Sequence, residues 1–158
     1  MTALLRLAVA LALVLALAPA PVLAFGSSNS SSTSASNPGA ETFATAEKKV
    51  KAEQFADAIP LLEKTLKANP KNADALNYLG YSHRKLGHTD QALEYYQQAL
   101  AINPKHPGAN EYMGELYLEL KQLDKAEERL AVLSTVCNSC VEFVELKEKV
   151  DAFKKQSS

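Results

Sequence analysis

"ALNYLGYSHRKLGHTDQALEYYQQALAINP", residues Ala75 to Pro104, decides how this chain of 158 residues folds. Its apolar and small residues recur at intervals of three and four, which is the spacing of one face of an α-helix. Leu86-Gly87 ends the first helical segment, because glycine readily adopts the left-handed conformation found after a helix C-terminus. Pro104 stops the second segment. The stretch therefore predicts two consecutive helices, over 73–86 and 89–101.

The same pattern returns along the chain with a period of about 34 residues. The equivalent positions are Ala58, Ala92 and Ala126; Leu62, Tyr96 and Leu130; Asn69-Pro70 and Asn103-Pro104. A period of this length, built from helix pairs, resembles the tetratricopeptide repeat family. The middle repeat carries the resemblance with Leu76, Leu79, Gly80, Ala92, Tyr96, Ala99 and Pro104. It departs from the family at His83, where Tyr is usual.

The resemblance implies an all-α fold: a right-handed superhelical α-solenoid of antiparallel helix pairs. We place three tetratricopeptide repeats in 40–136, and a C-x-x-C turn, a capping helix and a short tail in 137–158. About seven helices are predicted, over 41–53, 56–68, 73–86, 89–101, 107–120, 123–136 and 141–155. The last helix carries the apolar stripe Phe143, Leu146, Val150 and Phe153. That stripe is typical of a helix that covers the open end of a repeat stack.

The first 24 residues have the three-part layout of a secretory signal peptide. Arg6 precedes an apolar run over 7–18, and Val22-Leu23-Ala24 supplies the small residues of a cleavage site. We expect cleavage after Ala24, a periplasmic or secreted protein, and no stable membrane insertion afterwards. The alternative is an uncleaved anchor, although the apolar run is shorter than the ~20 residues of a spanning helix. Residues 25–39, rich in Ser and Asn, are predicted to form a flexible linker.

Composition and motifs restrict the function. The formal net charge is −1, from 17 Lys and Arg against 18 Asp and Glu, without the basic patch typical of nucleic-acid-binding proteins. No nucleophile–base pair, glycine-rich phosphate loop or paired-carboxylate signature stands out. We therefore predict no catalytic residue, no enzymatic activity, no cofactor and no nucleic-acid partner.

The first helix of each repeat is expected to line an inner, concave surface. The predicted partner-binding residues on this surface are Phe43, Glu47, Asp74, Asn77, Tyr81, Arg84, Glu111, Tyr112 and Glu115. Their mixture of aromatic and acidic side chains favours a peptide or helix that is basic and amphipathic, since Tyr offers apolar area and a hydroxyl at low entropic cost. The alternative is an ordinary solvated helix face.

Some family members grip a C-terminal carboxylate of heat-shock chaperones with a Lys/Asn/Arg clamp. The equivalent places in this chain hold Phe43, Glu47, Tyr78, Gly108 and Tyr112, so the resemblance does not imply that activity.

Cys137 and Cys140 are the two cysteines of the chain, in a C-x-x-C spacing. In an oxidising compartment this spacing favours a structural disulfide, and a redox pair or two free thiols are the alternatives. Haem attachment is excluded because Val141 follows Cys140 in place of His. No metal site is predicted, because a zinc site needs three or four ligands and no histidine lies near the cysteines. His83 is expected to be a packed core histidine with a hydrogen-bond partner.

The sequence therefore predicts a non-catalytic protein–protein interaction module, or scaffold, in an exported compartment, which binds a peptide or helix through its concave groove. A thiol–disulfide redox protein that uses Cys137 and Cys140 is one alternative. A self-assembling scaffold, in which the partner is a second copy and the protein is a homo-oligomer, is another.

Overall fold

The structure, a computed structural model, describes residues 38–156. Within these residues the chain forms seven α-helices and no strand, which confirms the all-α prediction. The helices are α1 (Pro38–Lys51), α2 (Phe55–Ala68), α3 (Ala73–Lys85), α4 (Thr89–Ile102), α5 (Pro107–Glu119), α6 (Leu123–Cys137) and α7 (Val141–Gln156). The predicted signal peptide, 1–24, and nearly all of the predicted linker, 25–39, lie outside the described residues.

The helix limits agree with the predicted ones to within two residues, except at the start of α1. This helix begins at Pro38, so the last two residues of the predicted linker are helical. Proline is tolerated in the first turn of a helix because the amide hydrogen that it lacks would have no partner there. Glu41, also in the first turn, interacts favourably with the positive end of the helix dipole.

Three helices, α1, α3 and α5, end in the same kind of turn. The residue after each helix cap has a positive φ, 57° at Glu53, 80° at Gly87 and 58° at Lys121. After α3, the amide of His88 donates to the His83 carbonyl (2.9 Å), and equivalent bonds close α1 and α5. This is the Schellman motif, and it returns the chain directly into α2, α4 or α6.

The helices form an inner and an outer row. Consecutive helices pair as α1 with α2, α3 with α4 and α5 with α6. The first helices of the pairs also touch each other, α1 with α3 and α3 with α5, whereas within residues 38–156 the second helices do not. The first helices therefore make up the inner row. α7 packs against α5 and α6 and takes the next inner position.

Two glycines of the inner row allow helices to approach closely. A Cβ atom at Gly80 would lie 2.5 Å from the ring of Tyr96, and one at Gly114 would lie 2.6 Å from the side chain of Leu146. Tyr96 and Leu146 are both fully buried, so an added methyl group would force the helices apart. Gly80 therefore fits α3 to α4, and Gly114 fits α5 to α7.

Apolar burial runs along the stack. One cluster joins α1, α2 and α3 around Leu62 and Leu79, and another joins α4 to α7 around Tyr96, Leu116 and Leu146. α7 thus covers apolar surface that the third repeat would otherwise expose. None of the helices between residues 38 and 156 combines the length and the hydropathy needed to cross a bilayer.

Candidate functional site

The inner row contains all nine residues predicted for the concave surface. They lie on α1 (Phe43, Glu47), α3 (Asp74, Asn77, Tyr81, Arg84) and α5 (Glu111, Tyr112, Glu115). We call the surface formed by α1, α3, α5 and α7 the inner face. The helical repeat places these residues at corresponding positions of the three first helices.

α7 belongs to the inner face as a fourth wall. The 34-residue period runs from Glu47 through Tyr81 and Glu115 to Lys149. In the structure the Lys149 ammonium group donates a hydrogen bond to the Glu115 carboxylate. α7 therefore continues the inner row.

Aromatic rings form the floor of the inner face. The rings of Tyr81 and Tyr112 lie 4.6 Å apart between centroids, and Phe55 meets Tyr81 edge-on at 5.7 Å. Closer to the N-terminus, Phe43 and Tyr78 are 6.0 Å apart. Rings at these separations attract each other, so these contacts stabilise the floor.

A buried ion network crosses the floor. The Glu115 carboxylate accepts from Lys149 of α7 and lies 2.5 Å from Nη1 of Arg84 on α3. The side chains of Arg84 and Glu115 are only 10 % and 8 % exposed. Nη2 of Arg84 also donates to Glu119 at 2.8 Å. Charges that are removed from water need such partners, so this network fixes the positions of three successive inner helices.

Glu111 is a buried acid beside this network, with 4 % of its surface exposed. Burial, the charge of Glu115 and the interaction with Glu145 together raise the pKa of Glu111 to about 8, against the opposing charge of Lys149. Around neutral pH the Glu111 carboxyl is therefore mostly protonated and donates to the Glu145 carboxylate. It supplies a neutral hydrogen-bonding group where the sequence suggested a negative charge.

A cavity of about 510 Å³ opens between α3, α5 and α7. Four of the predicted residues line it together, Tyr81, Arg84, Tyr112 and Glu115. Its volume falls within the ~300–1,000 Å³ that is typical of ligand pockets. The cavity therefore has room for one or more amino-acid side chains.

The remaining predicted residues lie elsewhere on the inner face. Phe43 and Asp74 line a second cavity of about 290 Å³ between α1, α2 and α3. Glu47 binds Lys51 at 2.9 Å and accepts from the Tyr78 hydroxyl. Asn77 is 5 % exposed, which leaves little of its amide for a partner.

Sequence reasoning missed the contribution of α7 to the cavity. The additional lining residues are Lys85, Leu118, Glu119, Glu145, Lys149, Ala152, Phe153 and Gln156. Phe153 belongs to the stripe that is expected to pack against the third repeat, but it also lines the cavity. The signal was present in the sequence, because the 34-residue period places Lys149 at the position equivalent to Tyr81.

Among residues 38–156, two groups of side chains have the composition of a metal site. Ligand atoms of Glu111, Glu115 and Glu145 converge within 4.8 Å, but Lys149 already supplies a positive charge to Glu115 there. The second group, Cys137, Cys140 and Glu142, includes the two cysteines, whose Sγ atoms are bonded to each other at 2.07 Å. Neither group therefore offers a free set of ligands.

The cysteine pair lies between α6 and α7. Cys137 is the last residue of α6, and the carbonyl of Cys140 accepts from the amide of Val144 in the first turn of α7. The Cα atoms of the two cysteines are 5.3 Å apart, within the range that a disulfide requires. A bond at this place fixes the turn that directs α7 onto the third repeat.

Together, the stacked helix pairs and the inner row of first helices define a helical-repeat protein. Two sequence models of the tetratricopeptide repeat match the chain, one over residues 43–107 and the other over residues 83–135. The chain belongs to the tetratricopeptide repeat family.

Solved structures share this fold. The first tetratricopeptide repeat domain of Spaghetti (RPAP3), bound to an HSP90 peptide, is 18 % identical, with a TM-score of 0.67 over 76 % of this chain and 94 % of that one. PcrH in complex with the chaperone-binding region of PopD is 18 % identical, with a TM-score of 0.66 over 75 % of this chain and 92 % of PcrH. The Yersinia enterocolitica type III secretion chaperone SycD, in complex with a YopD peptide, is 20 % identical, with a TM-score of 0.64 over 75 % of this chain and 94 % of SycD. No curated protein matches the chain.

The pKa of Glu111 predicts how stability depends on pH. Because its folded-state pKa, about 8, lies above the ordinary 4.5, the folded protein holds a proton that the unfolded chain loses. Stability should therefore fall as the pH rises from about 4.5 to about 8. Glu111→Gln, which imitates the protonated acid, should be at least about 1.4 kcal/mol more stable than the parent at pH 9, the equivalent of one pKa unit. At pH 4 the two should be alike.

Urea unfolding at both pH values measures this difference. Glu148→Gln is the matched control, because Glu148 is an exposed acid on α7 and the substitution removes the same charge at the surface. An equal increase in the free energy of unfolding of both variants at pH 9 would contradict the buried, protonated state of Glu111.

Proposed function

We propose that this protein is a non-catalytic interaction module that binds a peptide segment of another protein on its inner face. The observation that carries the proposal is the cavity between α3, α5 and α7. Its walls come from three consecutive inner helices, so a segment lying across the stack contacts all three. The rings of Tyr81 and Tyr112 supply the apolar surface that anchors bound side chains.

The charges around the cavity define the chemistry of the partner. Glu111 is protonated and Glu115 is paired with Arg84 and Lys149, so these two acids offer little charge to a ligand. Glu119 and Glu145 lie at the rim with 54 % and 51 % of their side chains exposed. We therefore propose an amphipathic segment whose apolar side chain enters the cavity and whose Lys or Arg residues reach the rim acids.

The structural relatives support a peptide as the bound species. The solved structures of the RPAP3 domain, PcrH and SycD each contain a bound peptide or a binding region of another protein. Their identity to this chain is 18–20 %, so the likeness shows the fold alone. The chemistry of the proposed partner is inferred from the residues that line the cavity. The clamp positions for a C-terminal carboxylate hold Phe43, Glu47, Tyr78, Gly108 and Tyr112, which favours an internal segment as ligand.

We also propose that the protein works after export, in a periplasm or outside the cell. The signal-like residues 1–24 support this location, and so does the bonded geometry of Cys137 and Cys140, since disulfides persist in oxidising compartments. A redox function is the second candidate, because Cys140 lies at the N-terminus of α7, where the helix dipole stabilises a thiolate.

The inner face can be tested with a peptide selected from a displayed library against the parent chain. Tyr81→Ala should weaken the affinity for that peptide about tenfold or more, a loss of roughly 1.4 kcal/mol, because it removes an anchoring ring from the cavity. Fluorescence anisotropy with a labelled peptide measures the affinity. Tyr81 is a cleaner probe than Glu115, whose substitution would leave Arg84 with less of its buried countercharge.

Tyr95→Ala is the matched control for this experiment. Tyr95 is also partly buried, but it lies on the outer helix α4, stacked against His83, and its loss should change stability without changing affinity. Equal affinities of Tyr81→Ala and the parent, or equal losses in the two variants, would show that the peptide binds elsewhere.

The state of the cysteines tests the proposed location. Protein taken directly from the exported fraction and alkylated without reduction should carry no label on Cys137 or Cys140 in mass spectrometry. Two labelled cysteines would reject the disulfide.

The Cys137→Ala/Cys140→Ala variant should stay folded and melt at a lower temperature. Its free energy of unfolding should fall by less than the ~3 kcal/mol expected for a 15-residue loop, because the closed loop is short. Turnover of the bond with a thiol substrate would instead support the redox function.

A further inference from the structure

The turn between α3 and α4 brings two histidines together. The Nδ1 atoms of His83 and His88 lie 3.3 Å apart, and their ring centroids lie 5.5 Å apart. The backbone holds this arrangement, because the amide of His88 donates to the carbonyl of His83 at 2.9 Å and Gly87 has a φ of 80°. The spacing of five residues is not that of a helical ligand pair, so the sequence alone did not show it.

The two rings differ in exposure. His83 is 8 % exposed, and its ring is stacked on Tyr95 with centroids 5.3 Å apart and planes 17° apart. His88 is exposed. One imidazole is thus fixed by packing, and the other is exposed to solvent.

The separation of the two nitrogens fits a shared ion. Two ligands at a Zn–N distance of ~2.0–2.1 Å in tetrahedral geometry have nitrogens about 3.3 Å apart. We propose that His83 and His88 form a binding site for a divalent transition-metal ion of the zinc class, bound through both Nδ1 atoms.

Imidazole nitrogen suits zinc, copper and nickel, whereas calcium and magnesium prefer oxygen ligands. In the free protein one Nδ1–H donates to the other ring; in the bound state both rings carry their proton on Nε2. The two remaining positions of a tetrahedral ion are filled by water or by a donor from a bound partner.

The other repeats provide an internal comparison. The same turn places Lys49 with Gln54 and Tyr117 with Gln122 at the equivalent positions. Neither pair offers two imidazoles, so the site belongs to the middle repeat. His106, the third histidine, already accepts from the amide of Ala109 through Nδ1 and bonds Asp74 through Nε2.

Zinc titration of the purified chain, after treatment with a chelator, tests the site. Isothermal calorimetry with ZnCl₂ should give one ion per chain, and Zn²⁺ should raise the melting temperature. His88→Asn should weaken the affinity for zinc about tenfold or more, because it removes a ligand and the loss of even an outer-shell partner typically costs about 10–100-fold. His106→Asn is the matched control, because His106 and His88 both stand at helix N-caps and Asn is a favourable N-cap residue.

We expect His106→Asn to bind zinc as tightly as the parent and His88→Asn to bind it more weakly. The parent should not bind CaCl₂. The absence of saturable zinc binding by the parent would overturn the proposal. The proposal would also be overturned if His88→Asn and the parent bound zinc with equal affinity, or if both Asn variants lost zinc affinity to the same extent. Because His88 is exposed, His88→Asn should melt at the parent temperature without metal, which shows that the variant is folded.

Discussion

The Glu115 carboxylate holds three successive inner helices together. It binds Arg84 of α3 and Lys149 of α7 from its own place on α5, in a position that water scarcely reaches. Removal of one partner from a buried ion pair costs roughly 3–5 kcal/mol, because the other charge is left unpaired. This cost applies to the Arg84–Glu115 pair, whereas Lys149 of α7 has 48 % of its side chain exposed and contributes less. The position of α7, and with it one wall of the cavity, depends on the close contact of Leu146 with Gly114 as well as on Lys149.

This internal pairing changes how the inner face meets a partner. The formal charges suggest an acidic groove, but Glu115 is paired internally and Glu111 is protonated near neutral pH. Recognition is left to the aromatic floor of Tyr81 and Tyr112 and to the carboxylates at the rim. Apolar anchoring then supplies affinity, and the rim acids supply orientation and selectivity for basic residues.

The fold could be predicted from the sequence because the 34-residue period fixes the pairing of the helices. Ala92, Tyr96 and Gly80 already identified the packed positions, and the helix limits were correct to within two residues except at Pro38. The role of α7 in the inner face was missed, because its apolar stripe indicated only packing, although Lys149 continues the period. The pKa of Glu111 and the contact of His83 with His88 depend on burial and on the geometry of one turn, which residue spacing does not report.

Amide exchange measured by NMR tests most directly whether the inner face is the surface that binds the partner. Spectra of the chain would be compared with and without a peptide selected for binding. We expect slowed exchange and shifted resonances to cluster on α3, α5 and α7 around Tyr81, Tyr112 and Lys149. Changes confined to the outer helices α2, α4 and α6, with the inner helices unaffected, would contradict it.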